Sequence, residues 1–335
     1  MHLGLIKLLT DYTGLIATDS VRQELVIMAV LVACMLVYTH IALNVTFNMP
    51  VGMFSTRPCA CLKRCLKEEQ NSWFAERYNS SVPKLLNRRN SDLSNSTKRW
   101  WLRLQNNRSN YSAVIEPLFS MFPDKEHYTD AGPDRCRTCA VVGNSANLLE
   151  SKYGALIDTH DFIFRMNMAP TAGYETDVGS KTTHRSIYPE SAVDFDNSTH
   201  LLMLPFKVLD LEWLISIFTT QNITRTYKRV RRTIKAQKEN VMILNPEFIK
   251  YVYDSWLRKN GKYPSTGFII LMLATHICDQ VNVFGFGANK EGKWLHYFEK
   301  RHRPNLNGGV HRGSAEFNIL LELEKREMIH YYRGW

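Results

Sequence analysis

The chain has 335 residues, 44% hydrophobic and 22% charged, with 42 Lys and Arg against 32 Asp and Glu and a formal net charge of +10. This is the composition of a globular protein with a sizeable core, and no repeat or low-complexity tract interrupts it. The positive balance favours anionic partners, but the basic residues are spread along the chain apart from one dense run, so nucleic acid is not favoured over an anionic lipid or an acidic small molecule.

The first element is an apolar run, LVIMAVLVACMLVYTHIAL at 25–43, with no formally charged residue. About 20 such residues span a hydrocarbon core. The run starts well inside the chain and no clean small-x-small cleavage site follows it, so it reads as a retained signal anchor. Lys7 and Arg22 precede it while Arg57, Lys63 and Arg64 follow, and charge alone does not orient it. The sequons do. Asn-x-Ser/Thr occurs at Asn44, Asn79, Asn95, Asn107, Asn110, Asn197 and Asn222, all beyond the run. Their placement suits a lumenal body on a type II anchor. Cys34 lies inside the run, leaving Cys59, Cys61, Cys65, Cys136, Cys139 and Cys278 on the lumenal side. An even number there implies disulfides, and the alternative is zinc held by Cys136, Cys139 and the 59–65 cluster.

The expected organisation is a cytosolic tail at 1–24, the anchor at 25–43, a stem at 44–70 and a lumenal domain at 71–335. From Ser72 to Gln105 the apolar spacing is helical, broken by Pro83, and Trp100 and Trp101 read as core. After Arg135 strands alternate with helices. Strand-like runs are AVV (140–142), DFIFRM (161–166), HRSIYP (184–189), HLLMLPF (200–206), VMIL (241–244), VNVFGF (281–286) and MIHYY (328–332). Between several of them lie VLDLEWLISIF, PEFIKYVYDSWL, TGFIILMLATHI and AEFNILLELEKRE, the second opened by Asn245-Pro246 as cap and first residue. The pattern predicts one α/β domain with a mainly parallel sheet flanked by helices.

Ligands of open α/β sheets sit at the carboxyl ends of strands. Gly143-Asn144-Ser145-Ala146-Asn147 lies at the first such end and Met166-Asn167 at the second. Tyr263-Pro-Ser265-Thr266-Gly267 opens a helix whose free N–H groups can meet an anion. Gly285-Phe-Gly287 allows close backbone approach, and GFGANKEG does not match a dinucleotide fingerprint. Trp294 precedes His296 in HYFE, and His311 stands five residues before Glu316; a histidine near neutrality can remove a hydroxyl proton or bond a leaving phosphate. Asp194-Phe-Asp196 imitates the D-x-D of metal-dependent transferases, but beside a sequon it reads as a solvated loop. The basic run at 225–238 reads as an exposed loop, with Tyr227 in it a candidate phosphate donor.

CAVVGNSANLL through DTHDFIFRMNMAPTAGYETDVGSKTTH, YPSTGFIILMLATHICDQVNVFGFG, HYFE and H-x-x-x-x-E, in that order after a signal anchor, resemble the large, small, third and very small motifs of the animal sialyltransferases. The resemblance runs from about Cys59 to the C-terminus. Within the family it is nearest to β-galactoside α-2,3-sialyltransferases acting on Galβ1,3GalNAc, through WWLRLQ, YPES and CACLKRC. It implies a GT-A-like (Rossmann-type) lumenal domain, one transmembrane helix and a Golgi membrane location. It also implies inverting transfer from CMP-sialic acid to galactose-terminated glycoproteins or glycolipids, with no metal or other cofactor and no nucleic-acid partner. By the same resemblance Asn144, Ser145, Asn147, Asn167, Ser265, Thr266, Gly267, Gly287 and Trp294 contact the donor. Tyr227 and His296 bond its phosphate, His311 is the general base, and Gln105 and Tyr263 place the acceptor. The implied disulfides are Cys59–Cys65, Cys61–Cys136 and Cys139–Cys278, and glycosylation falls on Asn79, Asn95, Asn107, Asn110, Asn197 and Asn222. The sequence departs from the family pattern at Phe298, where Trp is common, and at Ala146, where close relatives often have Gly. The alternatives are transfer to Galβ1,4GlcNAc, a metal-dependent transferase using Asp194 and Asp196, and a non-catalytic lumenal glycan-binding protein.

Overall fold

A computed structural model describes residues 19–47, 59–61, 65, 66, 72–104, 109–125, 128, 134–299 and 311–334, with side chains of the first stretch described over 23–39. The chain divides into two units, Met1–Thr56 and Arg57–Trp335. In the first, one helix runs Asp19–Phe47 across the apolar run. Among the described residues no helix is long and apolar enough to cross a membrane. The structure thus supports a helix over 25–43 and nothing beyond a helix.

The second unit takes in the cysteine cluster at 59–65, which the sequence assigns to the end of the stem. Each of the seven strand-like runs contributes a strand: β1 Thr138–Val142, β2 Phe162–Met166, β3 His184–Ile187, β4 His200–Met203, β5 Val241–Ile243, β6 Gln280–Phe284 and β7 His330–Tyr332. They form one sheet in the order β5-β4-β3-β2-β1-β6-β7, with every neighbouring pair parallel. Strands β1 to β3 are almost wholly buried, as expected where helices cover both faces. The sheet grows one way from β1 to β5, then the chain returns to lay β6 on the other side of β1. The reversal between β1 and β6 is the switch point at which such sheets open a crevice.

The four expected helices form at Val208–Ile217, Pro246–Tyr251, Thr266–Ile277 and Gly313–Lys325. Asn245 caps the second, its side chain accepting from the Glu247 N–H at 2.9 Å with Pro246 at the first helical position. A π turn, Val252–Trp256, continues it. Thr266–Ile277 is apolar all round and buried from Phe268 to Ile277, the signature of a helix inside a core rather than on its surface. Trp101 is fully buried and donates its indole N–H to the Pro205 carbonyl at 2.8 Å, while Trp100 stacks on Tyr253. Trp101 is a core residue, as the spacing suggests, and Trp100 is partly buried against the core.

Disulfides join Cys59–Cys65, Cys61–Cys136 and Cys139–Cys278. These consume all six cysteines beyond the apolar run, so the zinc alternative falls: the close approach of Cys59, Cys61 and Cys65 is that of bridged cysteines. Cys139–Cys278 ties the start of β1 to the end of the buried helix across 139 residues of chain. Replacing both cysteines by alanine is expected to cost about 2–5 kcal/mol, the usual range for a native bridge. Non-reducing thermal melts would register this as a lower Tm; an unchanged Tm would mean that packing alone fixes the helix.

Candidate functional site

The carboxyl ends of β1 and β6 meet backbone to backbone. The Gly143 N–H donates to the Phe284 carbonyl at 2.7 Å and the Ser145 N–H to that of Gly285 at 2.9 Å. A Cβ on Gly143 would lie 2.2 Å from the Gly285 oxygen, and Gly285, at φ +69°, would put its own 2.7 Å from that of Gly143. Only glycine fits both positions. The Ser145 hydroxyl donates to Gly287 O at 2.8 Å and the Asn147 amide to Phe286 O at 2.5 Å. A third segment is tied on by Ala146 N to Leu295 O at 2.7 Å and Tyr297 N to Asn144 O at 2.9 Å.

These turns, the start of the Thr266–Ile277 helix and the start of Gly313–Lys325 enclose a cleft of about 290 Å³. Of the residues expected at the donor, Asn144, Ser145 and Asn167 line it from the ends of β1 and β2. Ser265, Thr266 and Gly267 line the facing wall, joined by Gly287, Trp294, His296 and His311. Asn147 and Tyr227 are not among the lining residues. Asn147 is buried behind the turn, holding Phe286, whose carbonyl also accepts from Tyr331 Oη at 2.6 Å. Tyr227 is half exposed in the basic loop. Tyr263 stands beside the cleft, its ring edge-on to His311 with centroids 4.8 Å apart. Gln105 and Asn107 lie outside the described residues.

Two lining side chains carry a ligand signal of their own. The Oδ1 atoms of Asn144 and Asn167 are buried without a hydrogen-bond partner among the described residues, which natural sites rarely tolerate unless a ligand or water supplies the donor. Asn167 sits at φ +56°, the left-handed conformation asparagine accepts more readily than most residues. Arg185 fixes it there, Nη1 donating to the carbonyls of Asn167 and Ala169, each at 2.9 Å.

Ser265 caps its helix, accepting from the Phe268 N–H at 3.2 Å. It is held by Glu316, whose carboxyl accepts from the Ser265 N–H at 2.7 Å and from its hydroxyl at 2.5 Å. Burial pushes Glu316 up to about 7, against the opposing pull of those two hydrogen bonds. His311 Nδ1 lies 3.0 Å from the Tyr263 carbonyl. A carbonyl only accepts, so Nδ1 carries the proton and Nε2 is left with its lone pair. Burial lowers the His311 pKa and so favours the neutral ring, partly opposed by the hydrogen bond to the Tyr263 carbonyl. His296 stacks on Phe298 with Nδ1 3.1 Å from Glu299 Oε1.

The acidic pair expected to be solvated has partners in the protein, Asp194 in the basic 225–238 run and Asp196 in its own turn. Asp194 takes both oxygens to Arg231 at 2.9 Å, and Asp196 accepts from Ser198 and Thr199. Neither lines the cleft. The sequon residues Asn79, Asn95, Asn110, Asn197 and Asn222 are all exposed. Sequence reasoning gave no role to Tyr188, which lines the cleft just past β3. The strand-end rule that found Asn144 and Asn167 applies equally there. It also left Glu316 as half of a motif, without its grip on Ser265.

The sequence profile of glycosyltransferase family 29 (sialyltransferase) matches residues 85–328. The chain is 46% identical over 287 residues to CMP-N-acetylneuraminate-beta-galactosamide-alpha-2,3-sialyltransferase 1 of Gallus gallus, spanning 84% of each chain. To the protein of that name from Homo sapiens it is 42% identical over 285 residues, 83% of each. A solved structure of a mammalian sialyltransferase in complex with Gal-beta-1-3GalNAc-ortho-nitrophenol superposes with a TM-score of 0.77 at 44% identity, covering 83% of this chain and all of that one.

Because the folded pKa of Glu316 is raised above its ordinary 4.5, its contribution is fully present below that value and is lost as pH rises through about 7. Glu316→Gln, neutral throughout, is expected to gain in Tm relative to the parent protein as pH goes from 5 to 8. Parallel Tm profiles across that range would show that Glu316 does not titrate there.

Proposed function

We propose, from the premise that this chain belongs to glycosyltransferase family 29, the sialyltransferases, that the cleft between β1 and β6 performs the transfer. The protein is a β-galactoside α-2,3-sialyltransferase, moving sialic acid from CMP-sialic acid to the 3-hydroxyl of a terminal galactose, with Galβ1,3GalNAc its preferred acceptor. The observation that carries the reading is the 3.0 Å contact of His311 Nδ1 with the Tyr263 carbonyl, which commits that nitrogen as donor and leaves Nε2 as a lone-pair base in the cleft.

In this mechanism His311 Nε2 takes the proton of the galactose 3-hydroxyl as that oxygen attacks the anomeric carbon of sialic acid. The bond from that carbon to the phosphate oxygen breaks at the same time, and CMP departs with the electron pair, inverting the centre. The leaving phosphate is already ionised, so no strong general acid is needed; hydrogen-bond donors suffice to stabilise its growing charge. Tyr227 and His296 serve as those donors. Burial, reinforced by the nearby Glu190 carboxylate, pushes the Tyr227 phenol up to about 12, so it keeps its proton to donate. Asn144, Ser145 and Asn167 bind the nucleotide from one wall, and Ser265, Thr266, Gly267, Gly287 and Trp294 complete its enclosure. Asn147 acts behind them by fixing the turn. Gln105 and Tyr263 place the acceptor.

The reaction needs no metal in this reading, and the engagement of Asp194 with Arg231 and Lys235 and of Asp196 with Ser198 and Thr199, away from the cleft, supports that. The protein is a Golgi type II membrane protein with the 25–43 helix as its anchor and a lumenal catalytic unit. Three disulfides and the exposed sequon asparagines support an oxidising, glycosylating compartment.

Full-length protein in detergent, given CMP-sialic acid with EDTA and competing Galβ1,3GalNAc and Galβ1,4GlcNAc, is expected to yield the α-2,3 product of the first. Predominant transfer to the second would overturn the acceptor preference, and donor left unconsumed would favour a glycan-binding protein. Loss of turnover in EDTA that manganese restores would sink the metal-free mechanism. His311→Ala is expected to lower kcat by about 10³-fold or more, within the range lost with an essential proton acceptor. Because its pKa is depressed, the acid limb of kcat/KM falls below the ordinary histidine value of 6.5. A limb at or above that value would assign the base elsewhere.

A further inference from the structure

One group of ionisable side chains outside the cleft is buried more deeply than any within it. Lys207, Asp210 and Glu190 have side chains 5%, 0% and 5% exposed. The Lys207 ammonium lies 2.5 Å from Asp210 Oδ1 and 3.3 Å from Glu190 Oε1. Asp210 Oδ2 accepts from the backbone N–H groups of Phe206 at 2.9 Å and Lys207 at 3.2 Å, fixing the junction between β4 and the helix Val208–Ile217. Glu190 comes from the turn Pro189–Ser191 that ends β3. Two carboxylates on one buried ammonium carry a desolvation cost that apolar packing would avoid, so the cluster is a poor choice for stability alone.

Its remaining contacts point to one loop. The Thr226 hydroxyl donates to Glu190 Oε1, and the Lys207 ammonium sits 5.1 Å from the centroid of the Tyr227 ring. Within the loop, Thr226 N donates to Lys228 O and Val230 N to Thr224 O, both at 3.0 Å. On the other side, Phe206 leans on the Tyr263 ring at 5.2 Å, and Tyr263 meets His311. The same junction therefore touches the tyrosine assigned to the phosphate and the residue that orients the base.

We infer that Glu190, Lys207 and Asp210 are positioning residues that hold the Arg225–Arg229 loop so that Tyr227 reaches the leaving phosphate, through the Thr226–Glu190 hydrogen bond and the ammonium over the Tyr227 ring. The inference rests on the role proposed for Tyr227. It also accounts for the YPES sequence, in which Tyr188 lines the cleft and Glu190, two residues on, anchors the loop.

The test uses full-length protein carrying Thr226→Val, which removes only the hydroxyl, or Glu190→Gln, each alone and combined with Tyr227→Phe. Either substitution is expected to lower kcat about tenfold with the donor KM within about twofold, the pattern of an interaction made in the transition state. Amide exchange across 224–230 rises in both. In the Tyr227→Phe background the added loss shrinks to less than about twofold, because the residues act through one group. Losses that multiply fully in that background, or unchanged loop exchange, would overturn the positioning role while leaving Tyr227 in place. A silent Tyr227→Phe would remove the phosphate role itself and the inference with it, whatever the loop does.

Discussion

Every feature of the site depends on how closely the ends of β1 and β6 approach. Gly143 and Gly285 are in backbone contact that a single methyl group would break, and the hydrogen bonds of Ser145, Ala146 and Asn147 are laid across that contact. Because neighbouring strands in a parallel sheet share direction, both turns emerge on the same edge, where the strand order reverses. The crevice is thus a consequence of topology, and the glycines decide how tightly it closes.

The cleft proposed for the nucleotide has no lysine, arginine or aspartate among its described lining residues. Asparagine amides, hydroxyls, a helix start and imidazoles form its polar surface. The cations stand back. Arg185 works through the carbonyls of Asn167 and Ala169, and Lys207 through a tyrosine ring. Neutral donors held in place need not be stripped of tight hydration shells when substrate binds, and they do not trap a charged product as a fixed ammonium would. The net charge of +10 therefore describes the surface of the protein more than its site.

Much of this was legible in the sequence because local rules agreed with one another. Seven short apolar runs became seven strands, Asn245-Pro246 opened a helix, and the strand-end rule found Asn144 and Asn167. Residues whose roles are relational were harder to see. Asn147 sits in the middle of the motif yet does not line the cleft, because its amide donates to the Phe286 carbonyl instead. Glu316 reads as a spacing after His311 until the fold brings it 51 residues back to Ser265. Lys207 looks like one surface cation among 42 basic residues, and only the packing of β3 against β4 shows it to be buried. Periodicity reports which face of an element is apolar; it says little about which polar side chains will meet across distant segments.

The separation bridged by Cys139–Cys278 also bears on the protein's birth. Strand β1 is the centre of the finished sheet, but its β6 edge gains its partner only after more than a hundred further residues have been translated. Throughout that interval β1, apolar and β-prone, presents an unpaired edge to whatever lies nearby. A chain cut short before Cys278 would carry only part of the cleft and an unbridged Cys139. Quality control could read the completeness of this enzyme from one thiol.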